Sequence, residues 1–315
     1  MRHVLIINPT AGRRSSTAGL LEQAEDLRRR HGLAVECILT RSPGHAEETC
    51  RAIAGQGEPV RFYACGGDGT MNRVLNGILG FPHAAMTCVP TGTANDFLKN
   101  FGEEALPRFL DLEQLWDGPE RPLDVMECGG RAALTIACAG LDARVARDVH
   151  TYGRTLHGKA SYIASLAVNF ALRPLSQSWE VWVDGQKLPW ERYVLAAVCN
   201  GRYYGGGFLP VPEARLDDGC LRALLVRKVS RVTFLRLVGA YAKGEYRRFP
   251  YAARCCPGRE VRIRAAAGEE IVACLDGEAI HEPEITVRLS GSRVPFFFPR
   301  GCDPNATARE NPEGL

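Results

Sequence analysis

The stretch Val60-Arg61-Phe62-Tyr63-Ala64-Cys65-Gly66-Gly67-Asp68-Gly69-Thr70-Met71-Asn72 decides how this chain is read. Val60 to Ala64 is a short β-rich run, and it leads straight into Gly66-Gly67-Asp68-Gly69-Thr70. Met71 to Leu79 then has helical spacing. Glycines at a strand–helix junction let the backbone turn sharply and bring N–H groups close to an anion. The helix N-terminus adds partial positive charge, so a phosphate chain is the natural guest. An aspartate among those glycines repels phosphate directly. Asp68 fits if Mg²⁺ stands between its carboxylate and the phosphates.

The same grammar repeats on either side. Val4 to Ile7 ends at Asn8-Pro9-Thr10-Ala11-Gly12-Arg13-Arg14, and Leu20, Leu21, Ala24 and Leu27 then share one helical face. Ala34 to Leu39 is a second strand ending at Thr40, and His45 to Ile53 a second helix. Ala85 to Val89 is a fourth strand, followed by Pro90-Thr91-Gly92-Thr93-Ala94-Asn95-Asp96-Phe97. Strands alternating with helices through short turns predict an α/β domain with a mainly parallel sheet. Ligands of such sheets bind at the carboxyl ends of the strands, where these loops fall. The candidate nucleotide-binding residues are therefore Asn8, Pro9, Thr10, Ala11, Gly12, Thr40, Gly66, Gly67, Asp68, Gly69, Thr70, Met71, Asn72, Thr93 and Asn95. Arg13 and Arg14 are placed to meet phosphate as well.

After Pro119-Glu120-Arg121-Pro122 the texture changes. Leu123 to Glu127, Ala132 to Ala139, Trp179 to Val183, Val194 to Val198, Leu221 to Val226, Val261 to Arg264, Ile271 to Leu275 and Ile285 to Leu289 read as strands. Asp184-Gly185, Asp218-Gly219 and Asp276-Gly277 punctuate them as turns. Helical stretches interrupt near 158–172 and 231–246. A mainly antiparallel β-sandwich is expected over 122–292, following an α/β domain over 1–121. Val294 to Pro299 is one more apolar strand. The polar tail 301–315 is expected to be disordered.

Composition excludes several classes. The 315 residues are 45% hydrophobic and 24% charged, with a net charge of +3, ordinary for a soluble globular chain and too weak to imply nucleic acid. Met1 to Pro9 lacks the pattern of a signal peptide, and no run reaches the ~20 apolar residues that cross a bilayer. The longest apolar stretch, Ala160 to Leu172, carries Ser161, Ser165 and Asn169 and reads as a buried or interfacial helix. None of the 12 cysteines has C-x-x-C spacing, so reduced cytosolic thiols are expected rather than zinc ligands. Lys243, Arg247, Arg248, Arg254, Arg259, Arg262 and Arg264 form a basic run suited to anionic lipid, with Trp179, Trp182 and Trp190 elsewhere in the same domain.

Asn8-Pro9 with Gly12, Gly66-Gly67-Asp68-Gly69-Thr70 with Asn72, and Gly92-Thr93-Ala94-Asn95-Asp96-Phe97 resemble, in order and spacing, the diacylglycerol kinase catalytic domain. Asn200-Gly201, Gly205-Gly206-Gly207 with Pro210, Ala214 to Leu221, and Asp276-Gly277-Glu278 resemble its soluble bacterial branch. The resemblance covers roughly residues 1 to 299. It implies two domains, nucleotide on the first and a lipid head in the cleft, with a final strand around Val294 to Phe298 returning to the first domain (293–299). It implies ATP and Mg²⁺ as cofactors, a lipid alcohol at a membrane surface as partner, and a cytoplasmic, peripherally membrane-associated enzyme. A homodimer is compatible with it.

Phosphoryl transfer to a hydroxyl needs a proton acceptor. Asp276-Gly277-Glu278 offers two carboxylates at a turn, and the resemblance assigns the role to Glu278 first, with Asp276 sharing it or holding its geometry. The resemblance also implies a structural Mg²⁺ held by the carbonyls of Arg215 and Cys220 and the carboxylate of Asp218. The expected reaction is ATP-dependent phosphorylation of diacylglycerol. Phosphatidylglycerol or a sphingoid base is the alternative acceptor. NAD kinase shares the Gly-Gly-Asp-Gly-Thr loop but not the Gly92 to Phe97 segment. A non-catalytic nucleotide and lipid sensor has no need of Asp68 and both candidate bases.

Overall fold

The computed structural model describes residues 1–12, 14–152 and 159–302. Its contacts divide the chain into two units, Met1–Leu123 with the segment from Ser292 onward, and Asp124–Gly291.

The first unit is built on β1 (Arg2–Ile7), β2 (Ala34–Leu39), β3 (Val60–Gly66), β4 (Ala84–Pro90) and β5 (Glu120–Leu123). Between them run α1 (Arg14–His31), α2 (Pro43–Ala54), α3 (Asp68–Ile78) and α4 (Leu112–Leu115), with 3-10 turns over Phe97–Phe101 and Glu103–Leu110. β1 is buried from His3 to Ile7, as are β3 throughout and β4 from Ala84 to Val89. Such strands read as continuous apolar runs because helices cover both faces of a parallel sheet. β1 pairs in parallel with β2 and with β3, and β3 in parallel with β4. The order β2-β1-β3-β4 therefore reverses direction between β1 and β3. That reversal is a topological switch point, the place where open α/β sheets bind ligands.

The second unit holds β6 (Met126–Cys128), β7 (Arg131–Ala133), β8 (Ile136–Gly140), β9 (Gln177–Val183), β10 (Gln186–Lys187), β11 (Arg192–Cys199), β12 (Leu221–Arg227), β13 (Ala253–Gly258), β14 (Glu260–Ala265), β15 (Ile271–Leu275), β16 (Glu278–Glu282) and β17 (Glu284–Leu289). Its helices are α5 (Leu141–Tyr152), α6 (Lys159–Leu172) and α7 (Arg231–Ala242). Every strand pair in the unit is antiparallel. One core lies inside the sandwich, with Trp179, Val181, Ala196, Val198, Leu225, Ile263 and Leu275. A second lies under the helices, where Leu195, Ala197 and Leu224 meet Phe234, Leu237 and Tyr241. Successive residues of β11 serve opposite cores, so this sheet is buried on both faces and the unit has a helical third layer.

The last strand, β18 (Val294–Phe297), lies in the first unit, parallel to β4 and antiparallel to β5. Phe296 packs against Phe97, Phe101, Phe109 and Phe298. This aromatic cluster supports the 3-10 turn that follows the Gly92 loop.

Three expectations need correction, and one strand was not anticipated. Leu123 to Glu127 is not one strand. Leu123 closes β5, the Asp124 N–H donates to the Leu216 carbonyl, and pairing resumes at Met126 in the second unit. Ala132 to Ala139 breaks at Leu134 and Thr135, whose backbone N–H groups donate to the Asp276 carboxylate. Apolar patterning cannot register a break made by a side chain 142 positions away. The helix near 231–246 ends at Ala242, where Gly244 (φ 76°) turns the chain into a 3-10 turn over Tyr246–Arg248. The edge strand β13 carries Pro257-Gly258, breakers that mask a strand in the sequence. The tail beyond Cys302 lies outside the described residues.

Candidate functional site

In the first unit three loops meet at the switch point. The Asn8 N–H donates to the Cys65 carbonyl at 2.9 Å, the Thr40 N–H to the Ile7 carbonyl at 2.8 Å, and the Thr91 and Gly92 N–H groups each to the Gly66 carbonyl at 3.1 Å. Gly67 and Gly92 touch through their backbones. A Cβ on Gly92 would stand 2.4 Å from the Gly67 Cα, so no other residue fits there. A Cβ on Gly12 would stand 2.1 Å from the Thr91 carbonyl oxygen, which brings the Asn8 loop against the same pair.

Asp68 begins α3, and its carboxylate turns toward the third loop. Oδ2 accepts the Asp96 N–H at 3.0 Å and Oδ1 the Phe97 N–H at 3.1 Å. These are the orphan donors at the start of a 3-10 turn, so Asp68 caps that turn from a distance. Burial pushes the Asp68 carboxyl above its usual range, Asp96 adds to the push, and the two backbone donors oppose it. Asp96 in turn pairs with Lys99 at 2.5 Å. Asn95 holds the left-handed conformation (φ 48°), and its amide donates to the Gly92 carbonyl at 2.8 Å.

The remaining rim candidates divide by exposure. Pro9, Thr10, Gly12, Gly69 and Thr93 are exposed, with Asn8, Ala11, Thr40, Gly67 and Asn95 partly so. Gly66 is buried, and Thr70, Met71 and Asn72 lie on the buried face of α3. The Thr70 hydroxyl accepts from the Asn8 amide at 3.4 Å, and Asn8 Oδ1 accepts from both the N–H and the hydroxyl of Thr10. These bonds tie the Asn8 loop to the start of α3. Arg13 lies outside the described residues.

In the second unit the Asp276-Gly277 pair has φ of 43° and 97°, the two positive values that a two-residue type I′ hairpin requires. The Asp276 carboxylate accepts the N–H groups of Leu134 at 2.8 Å, Ile136 at 2.9 Å and Thr135 at 3.2 Å. Asn200, fully buried, holds the other side of that segment through its amide, which donates to the Leu134 and Asp124 carbonyls. Asp276 is thus a latch. Glu278 opens β16 as the partner of Leu275, one third exposed, with the Arg131 guanidinium 3.5 Å away. Arg131 was missed by sequence reasoning, because a lone arginine in a three-residue strand carries no pattern.

The ligands implied for magnesium at Asp218 already have an arginine beside them. The Arg222 guanidinium donates to the Cys220 carbonyl at 3.1 Å and to Asp218 Oδ2 at 2.7 Å. Asp218 Oδ1 accepts the Cys220 N–H at 3.1 Å, while Arg215 pairs with Asp217 at 3.4 Å. Two of the three ligands implied for the cation, the Asp218 carboxylate and the Cys220 carbonyl, thus already accept from Arg222, and a cation there would share them with it. The turn is tied instead to Asp124, whose carboxylate accepts the Gly219 N–H at 2.6 Å.

The basic run 243–264 is not one patch. Arg247 pairs with Glu213, Arg248 with Glu245 and Arg264 with Glu284. Arg262 and Arg264 stack on Trp182, and Trp179 is core. All 12 cysteines are unpaired. No helix among the described residues is long and apolar enough to cross a membrane.

Comparison with known proteins matches both units. Residues 2–128 match the diacylglycerol kinase catalytic domain, and residues 135–296 the YegS C-terminal NAD kinase beta sandwich-like domain. A "Diacylglycerol kinase" of Bacillus subtilis (strain 168) is 26% identical over 87% of this chain and 88% of its own. A "Probable lipid kinase YegS-like" of Pseudomonas aeruginosa PAO1 is 33% identical over 76% of each chain. A crystal structure of a diacylglycerol kinase from Bacillus anthracis superposes with a TM-score of 0.67 at 19% identity, over 96% of this chain and 98% of the other, a likeness of fold.

Proposed function

The chain belongs to the lipid kinase family that joins a diacylglycerol kinase catalytic domain to a YegS-type β-sandwich, and on that premise we propose that it transfers the γ-phosphate of ATP to the hydroxyl of a membrane lipid, with diacylglycerol as the first candidate. The observation that carries this reading is the meeting of Gly67 with Gly92 at the switch point, closed by Asp68 on Asp96 and Phe97. Backbone without side chains at a helix N-terminus suits an anion, and a phosphate chain fits it well.

ATP supplies the phosphoryl group and arrives with Mg²⁺, which offsets its charge. In the proposed reaction Gly67, Gly69 and the start of α3 bind the phosphates. Asp68 fixes the Gly92 loop against them and lies within the first turn of α3, next to where the metal-bound phosphates would rest. The lipid hydroxyl oxygen forms a bond to the γ-phosphorus as the bond to the β–γ bridging oxygen breaks, and ADP leaves. Glu278 accepts the hydroxyl proton. Asp276 is a positioning residue, because its oxygens already accept three backbone N–H groups. Arg131 supplies Glu278 with a countercharge.

The names of the Pseudomonas relatives specify a lipid and no particular one. Another lipid alcohol, phosphatidylglycerol or a sphingoid base, is therefore the second reading. The test is phosphate transfer from labelled ATP in mixed micelles carrying each alcohol in turn. Lipid-dependent incorporation into one of them supports the proposal. ATP hydrolysis that ignores every lipid overturns it.

A further inference from the structure

Helix α7 (Arg231–Ala242) has two faces of different character. Phe234, Leu237 and Tyr241, spaced i, i+3, i+7, are buried in the core beneath the helices. On the opposite side Val232, Leu235, Arg236, Gly239 and Lys243, at i, i+3, i+4, i+7 and i+11, are exposed. Val232 is 64% and Leu235 57% exposed. A helix on a globular surface normally turns polar residues outward. Here the outward residues are aliphatic and cationic.

The end of α6 continues this face. The Arg231 guanidinium donates to the carbonyls of Phe170, Ala171 and Arg173 at 2.5–3.3 Å, filling the acceptors left open where α6 stops. Leu172, 78% exposed, is held beside the first turn of α7 by these bonds. Among the described residues, three of the second unit's four exposed large apolar side chains lie on this joint, and the fourth is Tyr251.

The charge along this stretch points the same way. No acidic residue occurs between Asp218 and Glu245, while Arg222, Arg227, Lys228, Arg231, Arg236 and Lys243 all do. Five of these six, all but Arg222, are exposed. A chain with a net charge of only +3 thus concentrates a surplus here. Two copies of the chain meeting through this face would oppose like charges. An anionic bilayer satisfies both features, since basic groups bind its surface and aliphatic side chains enter the acyl boundary.

We infer that the outward face of α7, with Leu172, docks this protein on anionic membrane. The inference rests on the lipid kinase reading for its purpose, but its test does not need catalysis. The full chain is sedimented with vesicles of phosphatidylcholine alone and of phosphatidylcholine mixed with phosphatidylglycerol. The wild type should pellet with the anionic vesicles, and less so as salt rises. The Arg236→Glu/Lys243→Glu pair should weaken that partition by at least about tenfold, as two basic residues are each lost and reversed. The Val232→Ser/Leu235→Ser pair should weaken it by about tenfold through lost apolar insertion. Arg30→Glu, on α1, should change nothing.

No preference for anionic vesicles in the wild type overturns the inference, as does wild-type binding by both double variants. A wild-type dimer that becomes monomeric in either double variant, by light scattering, assigns the face to a second copy and overturns it too. Turnover on a short-chain, monomerically dispersed diacylglycerol is measured in parallel and should survive both pairs. If even the wild type fails there, the kinase reading falls while the vesicle result still judges the surface.

Discussion

Asp276 and Ile136 are joined twice: the Ile136 N–H donates to Asp276 Oδ1 at 2.9 Å, and the Asp276 N–H donates to the Ile136 carbonyl at 3.0 Å. One residue therefore uses both its side chain and its backbone to hold one strand start. Glu278, two positions later, has a cation beside it instead. The two carboxylates of one turn have different work. Asp276→Asn should cost about 2–3 kcal/mol in chemical denaturation, since it weakens charge-assisted bonds to buried N–H groups. Glu278→Gln should leave stability within about 0.5 kcal/mol of wild type. Equal destabilisation by the two substitutions would contradict this division.

Asp68 makes a second structural prediction. Asp68→Ala removes the acceptor for the Asp96 and Phe97 N–H groups. Hydrogen exchange at those two amides should accelerate, with a stability loss of about 1–3 kcal/mol. Use of Mg-ATP should fall in the same variant. Unchanged protection at Phe97 would show that the loop is held by other means.

The Asp218 turn should be indifferent to divalent cations. With Arg222 donating to both the Cys220 carbonyl and Asp218, the melting temperature without nucleotide should be the same in chelator and in excess Mg²⁺. Arg222→Met should lower it and should create a stabilisation by Mg²⁺ that the wild type lacks. A wild-type melting point that rises with Mg²⁺ and loses that response in Asp218→Asn would restore the metal site.

Much of this was legible in the chain. The loops after β1, β3 and β4 were found because glycine and asparagine mark backbone needs that few residues meet, and because apolar strands precede them. What stayed hidden depends on distant partners. Nothing in Asp276-Gly277-Glu278 says that Asp276 reaches Leu134, or that Arg131 comes to Glu278. Arg222 looked like any strand residue. The helical layer was half seen, since α5 carries enough charge to mask its buried side.

Acid sensitivity should have an identifiable source in His3. Its ring is buried in β1, with Nδ1 2.9 Å from the Tyr63 hydroxyl. Burial, then Arg61 and the amino terminus, lower its pKa from 6.5 to about 4. The folded state therefore resists a proton that the unfolded chain accepts below 6.5. Stability is fully present above that pH and falls as pH drops from 6.5 through 4, by about 3 kcal/mol for this group. Denaturation of His3→Gln across that window should show a flatter slope. An identical slope would place the acid sensitivity elsewhere.

The proposed reaction is phosphoryl transfer to a lipid hydroxyl with Glu278 as proton acceptor. The most direct measurement is transfer of labelled γ-phosphate from ATP to diacylglycerol in mixed micelles, by wild type and Glu278→Gln, with ATP affinity measured separately for each. The expected result is lipid labelling by the wild type, a loss of at least about 100-fold in the variant, and unchanged ATP affinity. A variant that keeps most of the rate would rule Glu278 out as the proton acceptor.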